Sequence, residues 1–393
     1  MNFQITQVIR EFSTAGGAET VAWELQRAWT RAGMRSTVLA CVTDGTGGTA
    51  ETGTIMLVSP WLSRIGTRGA WRYAGRLLAV PGFTLAATWA LRSRRDSVIV
   101  SHGDSLSGDV LVVHAVNKTA LRAKRRAGQW RWMLNPMHLW VGVRDRWLFG
   151  GGGARPWDRL RFDTVIAVSN RVRDELVEEY RVPAGRIRVI SNGIALDRFQ
   201  PDAAAGQRVR HAFGIPGTAK VMLFVGHEFS RKGLAYAVGA LTRLPEDTWL
   251  VVVGADEGAA YRRQAGAVAP RLVFTGPRTD LAALYSAADA FVFPTAYETF
   301  SLVCMEAMAC GVPVFATAVG GIEDYLVDGV NGRFIPRDEA GLADILRPAL
   351  ADPASLASMG AAARRTAASY GWDAIGAQYI DVLREVWAQK TRS

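Results

Sequence analysis

The sequence is poor in the residues from which disulfide frameworks and metal sites are built. Its three cysteines, Cys41, Cys304 and Cys310, are scattered and form no Cys-x-x-Cys pair, which argues against a disulfide scaffold and against zinc or redox motifs. None of the five histidines has metal-ligand spacing to a partner, and no Asp-x-Asp pair offers oxygen ligands to a divalent cation. We therefore expect a protein of a reducing compartment that uses no metal and no other cofactor.

Long apolar runs and the common nucleotide-binding glycine motifs are also missing. The longest apolar candidate, residues 77–91, is shorter than the roughly 18 residues of a transmembrane helix and contains Pro81 and Gly82. The first residues carry no basic stretch followed by an apolar one, so we expect no secretion signal. Neither G-x-G-x-x-G nor the P-loop pattern occurs, which argues against nicotinamide enzymes and nucleoside triphosphatases.

What the chain does contain is two series of short apolar runs that alternate with helix-like stretches. It has 393 residues, 49% hydrophobic and 21% charged, so two or three folded domains are expected. Such alternation predicts an α/β protein with mostly parallel sheets. The predicted strands are residues 3–10, 36–41, 97–101, 110–113, 164–168 and 187–190 in the first series, and 221–225, 249–253, 272–275, 290–293, 313–316 and 332–335 in the second. Segment 198–206, rich in Pro, Gly and small residues, suits a crossing between domains.

Positive charge is concentrated in residues 61–160. The formal net charge is +10, yet this span holds 17 Lys and Arg against 5 Asp, a difference of +12, so the rest of the chain is close to neutral. Basic residues interleaved with tryptophan favour an anionic membrane surface. A nucleic-acid platform or a solvated, internally paired charge remains an alternative. The span contains eight tryptophans, Trp61, Trp71, Trp89, Trp130, Trp132, Trp140, Trp147 and Trp157.

The most specific motif is a pair of glutamates, Glu298 and Glu306, separated by seven residues. A predicted strand ends just before it, and Phe300-Ser301-Leu302 begins a predicted helix, whose free N–H groups favour an anion such as a diphosphate. Glu306, further along that helix, could reach the hydroxyls of an attached nucleoside. The alternative is a surface helix with two solvated carboxylates.

A glycine-containing turn follows the first strand of each series. In the second series Gly226 precedes the cation pair Arg231-Lys232, which could neutralise a leaving diphosphate without a metal. The alternative is an exposed basic turn. In the first series Gly16-Gly17 would let the backbone approach a ligand closely.

Two histidines, His102 and His114, stand at the ends of predicted strands. Because ligands of parallel sheets bind at the carboxyl ends of the strands, either side chain could point into a ligand cleft. A lone histidine in such a place is also a common structural hydrogen-bonding group, and both interpretations stay open.

These motifs, in this order, resemble glycosyltransferase family 4, retaining enzymes of the GT-B fold, over essentially the whole chain. The resemblance implies two Rossmann-like domains facing across a cleft: an acceptor domain, 1–200, joined by a C-terminal helix, 373–393, and a donor domain, 201–372. The motifs that carry it are Gly16-Gly17-Ala18-Glu19, Val168-Ser169-Asn170, the segment 190–201, Gly226 with Arg231-Lys232-Gly233, and the two spaced glutamates.

The resemblance also implies roles for individual residues. Arg231 and Lys232 would bind the donor diphosphate with Gly226 nearby, and Glu306 would bind the ribose. Glu298 and the loop of Phe300, Ser301 and Leu302 would face the donor sugar and phosphates, while Gly16 and Gly17 would approach the phosphate and His114 the sugar. His227 stands where many members have an arginine, which puts one phosphate contact in doubt.

Within the family, the chain is most similar to bacterial lipopolysaccharide-core or exopolysaccharide hexosyltransferases. This implies that a hexose is transferred to a lipid-linked glycan at the inner face of the cytoplasmic membrane, with retention of the anomeric configuration. The first-ranked donor is UDP-glucose. The expected partners are the nucleotide sugar, the acceptor glycan and an anionic membrane surface, but not nucleic acid. A GDP-mannose-dependent mannosyltransferase and a non-catalytic nucleotide-sugar or glycan-binding subunit are the alternatives.

Overall fold

Each half of the chain folds around its own parallel sheet. A computed structural model describes residues 3–14, 16–43, 53–64, 71–126, 136–150 and 160–392. It divides into two compact units, one formed by Met1–Gly193 with Trp372–Ser393 and the other by Ile194–Gly371. The predicted crossing segment, 198–206, therefore lies within the second unit.

The first unit contains a seven-stranded sheet in which all paired strands are parallel. Its strands are β1 (Gln4–Val8), β3 (Ser36–Ala40), β5 (Thr54–Leu57), β6 (Ser97–Ser101), β7 (Val110–Val113), β8 (Thr164–Ala167) and β9 (Ile187–Val189), in the order β5-β3-β1-β6-β7-β8-β9. A separate pair is formed by β2 (Glu11–Phe12) and β4 (Val42–Thr43).

Helices connect these strands, and one more returns from the C-terminal end of the chain. They are α1 (Gly17–Arg31), α2 (Trp71–Ala90), α3 (Asn117–Arg126), α4 (Pro136–Phe149), α5 (Asn170–Tyr180) and α14 (Trp372–Lys390). In α5, the Ser169 side chain accepts a hydrogen bond from the Val172 amide, which caps the first turn. None of the described helices is long and apolar enough to cross a membrane.

The second unit is a six-stranded parallel sheet. Its strands are β10 (Lys220–Val225), β11 (Thr248–Val253), β12 (Leu272–Gly276), β13 (Ala290–Phe293), β14 (Val314–Ala316) and β15 (Gly332–Phe334), in the order β12-β11-β10-β13-β14-β15. Its helices are α6 (Ala203–Ala212), α7 (Phe229–Lys232), α8 (Leu234–Leu241), α9 (Ala259–Ala265), α10 (Leu281–Ser286), α11 (Leu302–Ala309), α12 (Glu339–Ala351) and α13 (Pro353–Ala368).

Burial on both faces explains why the strands consist of nearly unbroken Val, Ile, Leu and Phe. All four residues of β7 and of β13 are buried, as a parallel sheet covered by helices on both sides requires. For β6, β7 and β13 the predicted bounds are those of the structure. Strand β5 was not predicted, because three of its four side chains are exposed and it gives no pattern of burial.

Both sheets reverse their strand order at the first strand. Strand β3 lies on one side of β1 and β6 on the other, and β10 stands in the same way between β11 and β13. At such a switch point the connecting helices leave toward opposite faces, so that a crevice opens beyond the carboxyl ends of the two central strands. Ligand-binding residues are therefore expected after β1 and β6, and after β10 and β13.

Helix α14 is part of the first unit. Tyr379 on α14 meets the fully buried Trp29 of α1 edge to face at a centroid distance of 6.1 Å, and Trp387 stacks on Phe3 at 5.9 Å. Lys390 Nζ donates to Asp109 Oδ2 at 2.8 Å. The last residues of the chain thus complete the core that the first residues begin.

Replacing Trp29 with alanine should destabilise the first unit by about 3 to 5 kcal/mol, because the substitution opens a cavity between α1 and α14. The measurement is the midpoint of that unit's unfolding transition by scanning calorimetry. Trp89→Ala is the matched control, since Trp89 is 71% exposed and its loss leaves no cavity. Equal midpoints for the two variants would contradict the described packing of α14 on α1.

Candidate functional site

In the second unit, the candidate site lies where β10 and β13 end side by side. Gly226 follows β10 directly, and a Cβ atom on it would lie 2.6 Å from Lys232 Cδ. The Lys232 side chain therefore crosses close above the backbone at Gly226, with its Nζ 4.7 Å from the centre of the Phe293 ring at the end of β13. A side chain at position 226 would push this ammonium group away from the strand ends.

Two cations share one carboxylate at this edge. Arg231 Nη1 lies 3.4 Å from Glu298 Oε1, and Lys232 Nζ lies 3.6 Å from the same oxygen. Nη1 also donates to the Tyr297 carbonyl at 2.6 Å, and Nε donates to the exposed Glu228 at 2.7 Å. Because the Lys232 and Glu298 side chains are only 12% and 13% exposed, water screens this group weakly. An anion entering here meets two oriented cations.

Glycines on both sides hold the segment that carries Glu298. A Cβ at Gly233 (φ +78°) would lie 2.2 Å from the Pro294 carbonyl oxygen, and one at Gly320 (φ +62°) would lie 1.6 Å from the Glu298 carbonyl oxygen. Neither position admits a side chain without moving the segment. Gly233 was predicted as part of a motif, whereas Gly320 was not, because its only local signal is the Gly-Gly pair after a predicted strand.

Side chains from later elements fix the same segment. Arg337 Nε donates to the Pro294 carbonyl at 2.9 Å, and its guanidinium carbon lies 5.2 Å from the centre of the Tyr236 ring. Thr317 Oγ1 donates to the Thr295 carbonyl at 2.6 Å. Sequence reasoning missed Arg337 and Thr317, because nothing in their own surroundings marks them as neighbours of residues about 20 to 40 positions earlier.

The helix expected after this segment starts later than the sequence indicated. Helix α11 begins at Leu302, and Ser301 precedes it in a left-handed conformation (φ 72°) without making a side-chain cap. Non-glycine residues adopt this conformation at a cost of about 1 kcal/mol or more, and such strain concentrates at functional sites. Glu228, beside Arg231, has a left-handed backbone as well (φ 56°).

Phe300 differs from its expected role. Its ring is buried and packs against Tyr325 and Tyr370 at centroid distances of 5.4 and 6.0 Å, while its carbonyl accepts a hydrogen bond from the Tyr325 hydroxyl at 2.9 Å. The ring is therefore a core side chain of the second unit. Phe300 anchors the turn before Ser301 and Leu302, which remain at the start of α11.

Glu306 lies on α11 and is held by Tyr285 of α10. The Tyr285 hydroxyl donates to Glu306 Oε2 at 2.9 Å. Partial burial raises the pKa of Glu306 from its ordinary value, while the hydrogen bond from Tyr285 and the charges of Arg198 and Lys232 act in the opposite direction. A half-buried carboxylate with a fixed orientation can accept hydrogen bonds from a pair of neighbouring hydroxyls, such as those of a ribose.

His227 makes a weak backbone contact in place of the phosphate contact that an arginine would provide. Its Nδ1 accepts from the Ala255 amide at 3.4 Å. The nitrogen therefore faces the first residues after β11, and the ring does not join the group formed by Arg231, Lys232 and Glu298 within the described contacts.

In the first unit, Gly16 and Gly17 form the start of α1. Gly16 is the N-cap residue, with no side-chain cap, and Gly17 is the first residue of the helix. A Cβ on Gly17 would meet nothing within 4 Å, so the backbone there is open to a ligand, whereas one on Gly16 would collide with the Glu19 carboxylate.

His114 and His102 are brought together at the ends of β7 and β6. His102 Nδ1 lies 2.8 Å from His114 Nε2, and His102 Nε2 lies 2.8 Å from Gln7 Oε1. The two rings are nearly parallel, with centroids 5.1 Å apart. Burial lowers the pKa of His114 to about 4, and burial together with His114 lowers that of His102 well below its ordinary value. Both rings are therefore neutral at neutral pH.

The basic, tryptophan-rich span forms a surface with two apolar stripes. On α2 the exposed residues are Leu78, Leu85 and Trp89, and on α4, which packs against α2, they are Leu139, Val143 and Trp147. Spacings of four and seven residues place each set on one helix face. Trp61 is also 60% exposed. Trp130, Trp132, Trp157 and the Trp71 side chain lie outside the described residues.

Part of the charge in this span is paired internally. Arg122 forms an ion pair with Glu179, and Arg144 forms one with Asp145 at 2.9 Å. Among the residues that the structure describes, no group of three or more His, Cys, Asp or Glu side chains is arranged to hold a metal ion.

Comparison with known proteins identifies the family. Residues 207–366 match the family described as Glycosyl transferases group 1, and residues 15–198 match Glycosyltransferase Family 4. The chain is 34% identical over 288 residues to a D-inositol 3-phosphate glycosyltransferase of Xylanimonas cellulosilytica, covering 67% of this chain and 68% of that protein. It spans about two thirds of the length of the curated relatives it matches.

Solved structures share the fold at lower identity. WaaG, a glycosyltransferase involved in lipopolysaccharide biosynthesis, superimposes with a TM-score of 0.75 at 21% identity, covering 96% of this chain and 99% of WaaG. Anabaena Alr3699/HepE in complex with UDP-glucose superimposes with a TM-score of 0.70 at 18% identity, covering 98% and 100%. The predicted GT-B fold is confirmed, and the chain belongs to the glycosyltransferases of group 1 and family 4.

Replacing Glu306 with glutamine should stabilise the second unit against heat at about pH 8 and have little effect near pH 4.5. Burial raises the pKa of Glu306 in the folded protein above its ordinary value. At a pH above the folded-state pKa, the ionised carboxylate therefore lowers the free energy of unfolding. At a pH below the unfolded-state pKa, the group is protonated in both states and has no such effect. A rise of about 2 to 4 °C in the unfolding midpoint corresponds to about 1 kcal/mol for a unit of this size.

Scanning calorimetry at several pH values measures this difference. Glu246→Gln provides the matched control, since Glu246 is an exposed glutamate of the same unit. A destabilised Glu306→Gln protein at about pH 8 would mean that the carboxylate contributes net stability, contrary to the burial described here.

Proposed function

We propose that this family 4 glycosyltransferase transfers a hexose from a nucleotide sugar to a lipid-linked glycan, with retention of the anomeric configuration. The first-ranked donor in this proposal is UDP-glucose. The observation that carries the proposal is the pair of cations, Arg231 and Lys232, at the carboxyl edge of β10. Both lie within 3.6 Å of Glu298, and Glu306 stands on the helix that follows. A diphosphate, a sugar and a ribose each find a matching group there.

The diphosphate would replace Glu298 as the partner of the two cations. Arg231 can donate two parallel hydrogen bonds to phosphate oxygens, and Lys232 adds a compact positive charge. The Glu298 carboxylate, released from the cations, would then accept hydrogen bonds from hydroxyls of the sugar. Glu306, oriented by Tyr285, would accept those of the ribose.

Charge stabilisation and positioning would supply most of the rate enhancement. As the bond between the anomeric carbon and the diphosphate breaks, negative charge grows on the leaving oxygen, where Arg231 and Lys232 stabilise it. The acceptor hydroxyl attacks the same face of the sugar and transfers its proton to the departing phosphate oxygen, which gives retention without a protein nucleophile. A metal is not required in this scheme.

The choice of UDP-glucose as donor draws on a structural neighbour. Alr3699/HepE was crystallised with UDP-glucose, whereas nothing in the spaced glutamates distinguishes a UDP from a GDP sugar. A GDP-mannose-dependent mannosyltransferase of the same fold is therefore the alternative donor assignment. A non-catalytic binding subunit is disfavoured by the intact set of Arg231, Lys232, Glu298 and Glu306.

The acceptor assignment rests on the apolar stripes of α2 and α4 and on the positive charge around them. This surface fits an anionic bilayer, where a lipid-linked glycan would be presented, at the inner face of the cytoplasmic membrane. WaaG, which acts in lipopolysaccharide biosynthesis, shares the fold. The name of the matched relatives favours a second acceptor, D-inositol 3-phosphate, which is soluble and needs no membrane. Product analysis with this acceptor present separates the two.

Donor binding should depend on Lys232. We expect Lys232→Met to weaken UDP-glucose binding by about tenfold or more, since a hydrogen bond to a charged group contributes about 1.5 to 3 kcal/mol. The measurement is calorimetry with UDP, GDP and ADP sugars in the presence of a chelator. Lys220→Met is the matched control, because Lys220 lies at the opposite end of β10. Binding of no nucleotide sugar by the folded protein would refute the proposed donor chemistry.

Membrane binding should depend on the two stripes. A variant with Leu85, Trp89, Leu139 and Val143 changed to serine should bind vesicles containing anionic lipid about tenfold more weakly or worse, because each buried apolar side chain contributes about 1.5 kcal/mol or more. Co-sedimentation measures the loss. Val327→Ser with Val330→Ser is the control, since both are about half exposed in the second unit. Equal co-sedimentation of both variants and the wild type would argue against this surface.

A further inference from the structure

A cavity of about 320 Å³ in the first unit is lined by residues of α3, α4 and α5. Two of its lining residues, Gly150 and Tyr180, are buried, whereas Lys118, Arg146 and Arg181 are exposed, and we call these three the rim cations. Pockets for drug-sized ligands span about 300 to 1,000 Å³. This cavity is therefore suited to a small polar group and is too small for a whole nucleotide sugar.

The carboxylates in and beside the cavity are already paired. Glu179, which lines the cavity, forms an ion pair with Arg122, and its side chain is only 9% exposed. Asp145 accepts a hydrogen bond from the Tyr180 hydroxyl at 3.0 Å and pairs with Arg144 at 2.9 Å. Among the lining residues that the structure describes, the one carboxylate is thus neutralised, and the rim cations leave the cavity with a net positive charge.

Lys118 is held beside the cavity by two contacts. Its Nζ donates to the Glu179 carbonyl at 2.8 Å and lies 4.3 Å from the centre of the Tyr180 ring. An ammonium group has three N–H donors, so this single bond leaves two for a ligand. Arg181 stands at the C-cap of α5, and its side chain forms no ion pair among the described contacts. Oriented charged donors of this kind favour a phosphate group, whose oxygens accept several hydrogen bonds at once.

The cavity lies beside the apolar stripe of α4. Gly142 and Arg146 are the α4 residues of its lining. Each follows a stripe residue by three positions, Leu139 in the first case and Val143 in the second. Residues three apart are neighbours on a helix surface. A bilayer that receives the stripe would therefore bring lipid headgroups next to the rim cations.

We propose that this cavity binds the phosphate group of an anionic phospholipid headgroup, with Lys118, Arg146 and Arg181 as the hydrogen-bond donors. This inference rests on the proposed membrane docking of α2 and α4, and it adds a site of defined geometry to that surface. Attraction of basic residues to a negative surface potential does not depend on which anion carries the charge. Hydrogen bonds from oriented donors do, so the protein should prefer phosphate lipids to other anionic lipids at equal surface charge.

Co-sedimentation of the full chain with two kinds of vesicle tests this preference. Phosphatidylcholine vesicles contain either phosphatidic acid or oleic acid and are adjusted to the same zeta potential. The wild type should bind the phosphatidic acid vesicles about tenfold more tightly, as a hydrogen bond between charged partners predicts. Lys118→Gln with Arg181→Gln should bind both kinds equally.

Arg92→Gln with Arg95→Gln is the matched control, because it removes the same two charges from exposed positions of the first unit. This control should keep the tenfold preference. Equal binding of the wild type to the two vesicles, or an equal loss of preference in the control, would overturn the proposal. Arg181→Gln alone, which leaves the bond from Lys118 to the Glu179 carbonyl, should reduce the preference about threefold and serves if the double variant does not fold.

Glycerol 3-phosphate separates a lipid from a soluble source of the phosphate. At millimolar concentration it should occupy the cavity and remove the wild-type preference for phosphatidic acid. Binding of glycerol 3-phosphate in calorimetry without any preference between vesicles would identify a soluble phosphate ester as the ligand and overturn the lipid assignment. Failure of the wild type to bind either vesicle would refute the proposed membrane docking as well, whereas loss of the preference alone would leave that docking intact.

Discussion

The candidate site depends on the reversal of strand order at the first strand of each sheet. Because β11 and β13 lie on opposite sides of β10, the connections after β10 and β13 leave toward opposite faces and leave the strand ends uncovered. Arg231 and Lys232 follow one of these strands and Glu298 follows the other. The ion group is therefore a consequence of topology, and any sequence that preserves this strand order preserves the meeting of these two loops.

Rigidity of the segment after β13 is the second condition. The chain approaches so closely at Gly233 and Gly320 that only glycine fits, and Arg337 and Thr317 bind the carbonyls of Pro294 and Thr295. With the backbone held from both sides, the strained conformation of Ser301 persists at the start of α11. Positioning of this kind places charge before a ligand arrives, which is how a transferase without a nucleophile would gain rate.

The two units use different chemistry at equivalent places in their sheets. In the second unit the strand ends carry the charged side chains of Arg231, Lys232 and Glu298. In the first unit the ends of β1, β6 and β7 carry the hydrogen-bonded side chains of Gln7, His102 and His114.

The sequence by itself determined most strands of the two large sheets and the motifs. Buried parallel strands are apolar along their whole length, so β6, β7 and β13 could be read to the residue, and the spacing of Glu298 and Glu306 with the Arg231-Lys232 pair indicated the family. Local sequence also identified His102 and His114, but not their relation to each other or to Gln7. Only the tertiary structure decided that Phe300 is a core residue, that Tyr285 orients Glu306, and that Gly320 and Arg337 hold the site. Those contacts join residues from about 20 to nearly 100 positions apart, and the pairing of such residues is set by strand order and helix packing, which leave no mark on the sequence around each one.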